Sequence, residues 1–183
     1  TRQLSGGMLG ECYRVSVVDE RCELSATYQG VAQNDLGYNC DVLCSMPKSI
    51  GILTAIRSLS PQVIVCDEVG GEEEARAVTS ALNAGVPVVA SVHASTPQEL
   101  IQRRPCRQLL QTGAFEEIVF LGTGERLAKM QEVYKAEDIY AENHRSNCTG
   151  LDSLLGGQAL FTKGQIPGGR TGANRADAGL YGK

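Results

Sequence analysis

The sequence predicts an α/β protein built on a mostly parallel sheet, and three observations predict it. Four β-branched runs recur: "YRVSVVD" (Tyr13 to Asp19), "QVIVCD" (Gln62 to Asp67), "VPVVASV" (Val86 to Val92) and "EEIVFL" (Glu116 to Leu121). Segments with helical spacing separate the last three, and strands alternating with helices pair in parallel through crossovers. The runs at Val63 to Cys66 and Val86 to Val92 are apolar almost throughout, as strands of a sheet covered on both faces are.

Each element has its own signal. "TRQLSGG" reads as the last turn of a helix closed by glycine, with the start of that helix out of view, so the N-terminus is expected to be incomplete. The first strand follows at Tyr13. "TYQGVAQNDLGYNCDVLCSMP" is polar and rich in Gly and Asn, and reads as a long connection of the kind that carries function. Lys48 to Ser60 places Ile50, Leu53 and Ile56 at helical spacing. Glu72 to Asn83 opens with three acids that suit a helix N-terminus and stops before Gly85 and Pro87. In "STPQELIQRR", Thr96 is placed as N-cap, Pro97 at the first helical position and Glu99 to complete a capping box. Pro105 is expected to interrupt that helix and Gly113 to close the next. Beyond Asp138 the pattern fades, and Ser146 to Lys183 reads as disordered, with no sustained period. The domain division is therefore 1–138 as the folded unit and 139–183 as a flexible tail.

Composition narrows the function. A chain of 183 residues with 42% hydrophobic content supports one domain with a real core. The net charge of −4, without a dense basic block, argues against gripping nucleic acid. No apolar run has the length of a membrane span and no signal peptide opens the chain, so the expected compartment is the cytoplasm. Seven scattered cysteines, an odd number, read as reduced thiols; Cys40 and Cys44 have no second pair or nearby histidine to complete a zinc site.

The chemistry concentrates at strand tips. In "VIVCDEVGG" an apolar strand ends in Asp67 and Glu68. In doubly wound sheets, ligands gather beyond the C-terminal ends of strands. Two carboxylates there suit a magnesium ion bearing phosphates: Asp67 would hold the ion through water, and Glu68 would orient and deprotonate a water. The competing reading makes them early-turn acids for the next helix, a role Glu72, Glu73 and Glu74 already fill. Two other strands end alike: "VVDERCEL" places Asp19, Glu20 and Glu23 at one tip, and "VVASVHAST" places His93 at another, beside Ser91 and Ser95.

Acids at one tip, an Asp-Glu pair at a second and a histidine at a third resemble the Asp box, Walker B motif and His box of the secretion-type P-loop ATPases. Those are ring motors of secretion and pilus machines. "VSVVDERCELSATYQGVAQNDLGYNCDVL", "PKSIGILTAIRSLSPQVIVCDEVG" and "ALNAGVPVVASVHAST" together resemble the stage III sporulation protein AA family, AAA-type ATPases of the mother-cell-to-forespore channel. The resemblance covers Thr1 to about Asp138 in order and spacing. It implies a RecA-like P-loop sheet, ATP and Mg²⁺ as ligands, a homo-oligomeric ring, membrane channel proteins of the stage III operon as partners, and a place on the mother-cell side, peripheral to the membrane. It implies that Asp67 is the Mg²⁺-associated Walker B acid, Glu68 the catalytic base, Asp19 and Glu20 an acidic box near the phosphates, and His93 a sensor of the terminal phosphate. Arg21 and Arg57 would meet phosphate charge, one of them across a subunit boundary; pairing with neighbouring acids and a solvated helix face are their respective alternatives.

One motif of that family is missing. No G-x-x-x-x-G-K-[ST] occurs in the chain, although in the family this loop lies just before the helix that ends at "TRQLSGG". Its backbone N–H groups and lysine grip the phosphates. Its strand would lie between the fifth and the fourth of the sheet, and the run at Val63 to Cys66 is expected to lose a flanking partner without it. The expectation is an ATPase fragment that binds ATP poorly as it stands. The alternatives are a non-catalytic assembly module of such a ring and a nucleic-acid-dependent ATPase, the latter opposed by the acidic charge balance.

Overall fold

The computed structural model describes residues 1–7, 12–113, 115–122, 129–139 and 158–162. The order is α1 (Arg2–Ser5), β1 (Val15–Asp19), β2 (Cys40–Cys44), α2 (Lys48–Ser58), β3 (Val63–Glu68), α3 (Glu72–Asn83), β4 (Val88–His93), α4 (Pro97–Gln102), α5 (Arg104–Gln111), β5 (Glu117–Leu121), β6 (Met130–Lys135) and β7 (Gln158–Thr162). All four strands expected from the β-branched runs form. The strands make one sheet in the order β2-β1-β3-β4-β7-β5-β6.

β1 pairs in parallel with β2 and β3, and β3 with β4. β7 lies antiparallel between β4 and β5, so β5 points the same way as β4. β6 closes that side antiparallel to β5. Five strands thus share one direction, as an α/β chain should, while β6 and β7 oppose them. The run at Val63 to Cys66 keeps a partner on each side, contrary to expectation. It is β4 whose outer neighbour comes from far along the chain. β7 itself falls inside the segment read as disordered; the rest of 146–183, with Cys148, lies outside the described residues.

The path of the chain explains which face each connection covers. From β2 through β5 every crossover advances the same way along the sheet, so right-handed connections stack α2, α3, α4 and α5 on one face. The main core lies there, around Val18, Ile64, Val88, Val92, Ile52, Val78, Leu100, Leu109 and Ile118. The step from β1 to β2 runs the opposite way, so its connection covers the other face. Leu24 and Leu36 of that connection join Leu4 of α1 over Val15, Val17, Val63 and Val65. The part of the sheet around β1 and β3 is covered on both faces, but one cover is mainly a loop rather than a helical layer.

Several local expectations are corrected. β2 forms within the stretch read as loop, where Cys40 to Cys44 gain a ladder with β1. The buried stripe of α2 is Lys48, Gly51, Ile52 and Ala55, whereas Ile50 is exposed. Gly51 is what lets α2 sit close, since a Cβ there would stand 2.6 Å from Val18 Cγ1. Pro105 opens α5 at its first turn rather than merely breaking α4. Thr96 caps α4 as expected, its hydroxyl accepting from the Glu99 N–H at 3.1 Å; the return bond from Glu99 goes to the Ser95 N–H. No helix among the described residues is long and apolar enough to cross a membrane.

Candidate functional site

The carboxylate pair is presented by a bulge. β3 faces β4 in the register Ile64 to Val88, Val65 to Val89 and Cys66 to Ala90, and then Glu68 to Ser91, so Asp67 is an extra residue. Neighbouring side chains of a regular strand point to opposite faces; a bulge at the tip re-aims one of them. Asp67 and Glu68 thereby line one cleft of about 250 Å³, smaller than the ~300–1,000 Å³ of typical small-molecule pockets. That volume suits a hydrated cation with phosphate groups rather than a whole nucleotide. Glu20, Arg21 and Glu23 of the loop after β1 form one wall, and Gly70, Gly71 and Glu74 at the start of α3 form another.

Asp19, fully buried at the tip of β1, holds the loop wall in place. Its Oδ1 accepts the Glu23 N–H at 2.8 Å, and its Oδ2 accepts the Ser25 N–H at 2.7 Å and the Ser25 hydroxyl at 2.6 Å. Burial pushes this carboxyl up, but the bonds from Ser25, Leu24 and Glu23 outweigh it and hold it below its ordinary value. Because the Ser25 O–H is spent on Asp19, Thr27 must donate to Ser25 across their 2.7 Å contact. Asp19 therefore faces its own turn, and the side chains that reach the cleft are those of Glu20, Arg21 and Glu23. Glu20 also accepts the Lys48 backbone N–H at 3.2 Å, capping α2 from another element.

Lys48 is the residue the sequence reading passed over. Its ammonium is 5% exposed, stands 2.5 Å from Asp67 Oδ1 and 3.7 Å from Glu74 Oε1, and donates to the Glu68 carbonyl. The Lys48 ammonium is thus the partner of the buried Asp67 Oδ1, a short charge-assisted contact. Burial lowers the Lys48 pKa, but Asp67 first and Glu74 next more than reverse this, and the ammonium stays charged. Burial raises the Asp67 pKa, Lys48 lowers it, and the charges of Asp19 and Glu23 raise it again, with a net upward shift. Five carboxylates line the cleft against two cations, Lys48 and Arg21. The one available sequence signal was a cation in the first turn of a helix, where the macrodipole disfavours it.

The tips of β3 and β4 bring the expected base and sensor together. Glu68 Oε2 lies 3.4 Å from His93 Nε2, with side-chain exposures of 41% and 56%. Both are reachable from solvent, as groups acting on a bound phosphate must be. Arg57 is not brought to this site. It sits exposed in the last turn of α2, nine residues from Lys48 and so roughly 14 Å further along the helix.

The donor set was tested for magnesium. A surplus of carboxylate at the tips of β1 and β3 suits a cation. Among the described residues no group of three or more His, Cys, Asp or Glu converges as a metal cage. The site therefore fits an ion that keeps most of its waters, the habit of Mg²⁺, and Asp67 is the residue that would hold it.

The fold and site define a class: an α/β protein with an acidic cleft at the tips of its parallel strands, one of them bulged. The chain belongs to the family described as sporulation stage III, protein AA, whose model matches residues 2–140. It is 33% identical over 138 residues to the stage III sporulation protein AA of Bacillus subtilis (strain 168), a match covering 75% of this chain and 44% of that relative. The chain thus spans less than half of the relative's length. No solved structure matches significantly.

Proposed function

We propose that this chain carries the hydrolytic side of an ATP site and works in a ring motor at the sporulation stage III channel. The observation that carries the reading is the meeting of Asp67, Glu68 and His93 at the tips of β3 and β4, beside a cleft sized for a cation and phosphates. A magnesium ion, when bound, would supply Lewis-acid stabilisation of the terminal phosphate. Asp67 holds that ion through water. Glu68, half-exposed and 3.4 Å from His93, takes the proton from the attacking water. His93 steadies the Glu68 carboxylate and senses the phosphate. Arg21, on the loop wall fixed by Asp19, meets phosphate charge in the cleft, while Arg57, away from it, would meet phosphate charge only across a subunit boundary. The ring, the membrane channel proteins it docks to and its mother-cell side are part of the proposal, which membership of the sporulation stage III protein AA family supports.

Glu68→Gln tests it. In the intact protein, phosphate release falls at least ~100-fold while ATP binding, followed by a fluorescent nucleotide, is retained. Equal loss of binding and turnover would remove Glu68 from the role of base. A second reading, a non-catalytic assembly module, is favoured by one observation: the 183 residues contain no G-x-x-x-x-G-K-[ST] loop. Under that reading Glu68→Gln leaves channel function unchanged.

A further inference from the structure

We propose that Lys48 is a resident cation of the carboxylate cleft, and that a divalent ion binds Asp67 only by displacing its ammonium. The inference rests on the magnesium-binding part of the preceding proposal. Three observations carry it. First, Lys48 is 5% exposed and its Nζ stands 2.5 Å from Asp67 Oδ1, against the oxygen a metal or its water would use. Second, the ammonium is held by a set that a cation would recognise: the Asp67 carboxylate, the Glu68 carbonyl and, at 3.7 Å, Glu74. Third, the ammonium offsets only part of the charge around it, since five carboxylates line the cleft against Lys48 and Arg21.

The physical consequence is competition. Two cations a few ångströms apart beside the buried Asp67 carboxylate repel. An incoming ion must therefore move Nζ away from Asp67, and the flexible stem of lysine allows this. The displaced ammonium stays in the cleft, where the phosphate groups that accompany magnesium would receive it. Lys48 then acts as a positioning residue. It keeps Asp67 and Glu68 poised while no ligand is bound, and its competition weakens the binding of a metal that arrives without phosphate.

The test uses Mn²⁺ as probe, without nucleotide, followed by its electron paramagnetic resonance signal. Lys48→Met removes the competitor, and Mn²⁺ affinity is expected to rise by at least about tenfold. Adding Asp67→Asn to that variant should abolish the gain. Unchanged or weaker Mn²⁺ binding in a Lys48→Met protein folded by circular dichroism would overturn the inference. A second measurement needs no variant: acetylation of the wild-type Lys48 amine, read by mass spectrometry, should be slow alone and accelerate at least ~fivefold with saturating Mn²⁺. No acceleration would also overturn it. Failure of every form to bind Mn²⁺ would remove the magnesium reading as well, whereas equal binding by wild type and Lys48→Met removes only the displacement.

Discussion

Replacing Ser25 by alanine tests how the loop wall of the cleft is held. The Ser25 hydroxyl is fully buried and donates at 2.6 Å to Asp19 Oδ2, itself on a fully buried carboxylate. A hydrogen bond to a charged acceptor contributes about 1.5–3 kcal/mol. In Ser25→Ala, Asp19 keeps the Ser25 and Glu23 N–H groups, and Thr27 can turn to water, so the loss should fall near the lower end, about 2 kcal/mol. The sign with pH follows from Asp19, whose folded pKa lies below its ordinary 3.8. A depressed carboxylate contributes stability that is present above the unfolded value and lost as pH falls through the folded one. The wild type should therefore exceed Ser25→Ala by the full amount near neutrality, and the gap should close as pH drops below 3.8. Urea denaturation of both proteins at a series of pH values reads this directly. A gap that is independent of pH, or below ~0.5 kcal/mol at neutrality, would refute the claim that Ser25 acts by holding an ionised Asp19.

Two glycine substitutions probe close approaches made by the fold. Gly51→Ala places a methyl 2.6 Å from Val18 Cγ1 in the main core. Helix propensity returns up to ~1 kcal/mol and overpacking costs about 1–3 kcal/mol, so denaturant unfolding should show a net loss of roughly 1 kcal/mol. Gly37 has φ +86°, and a Cβ there would meet Ser5 Oγ at 2.0 Å and the Gly6 N at 2.9 Å. Gly37→Ala should cost at least ~2 kcal/mol by the same measurement and free the loop from α1; an unchanged midpoint would mean that the loop does not depend on this contact.

The sequence by itself determined the local elements of this protein. Apolar runs such as Val63 to Cys66 can hide their side chains only in a covered sheet, and the three acids opening α3 and the Thr96 cap answer needs that arise within one helical turn. It also pointed to Asp67, Glu68 and His93 as the residues proposed to bear chemistry, because strand ends in Asp-Glu and in His are visible as strings. What only the tertiary structure decided depends on partners distant in the chain. The stretch Cys40 to Cys44 looks like loop until β1 offers it a ladder, and the register that makes Asp67 a bulge exists only against β4. β7, short and set in a Gly-rich stretch, acquires strand identity only between β4 and β5. Lys48 shows the difference most sharply. In the sequence it is a polar residue at the start of a helix, and its burial beside Asp67 follows from α2 packing on β1 through Gly51. Periodicity and capping act over a few residues and can be read from the string, whereas charge compensation in a buried cleft is settled by distances between elements that the string does not contain.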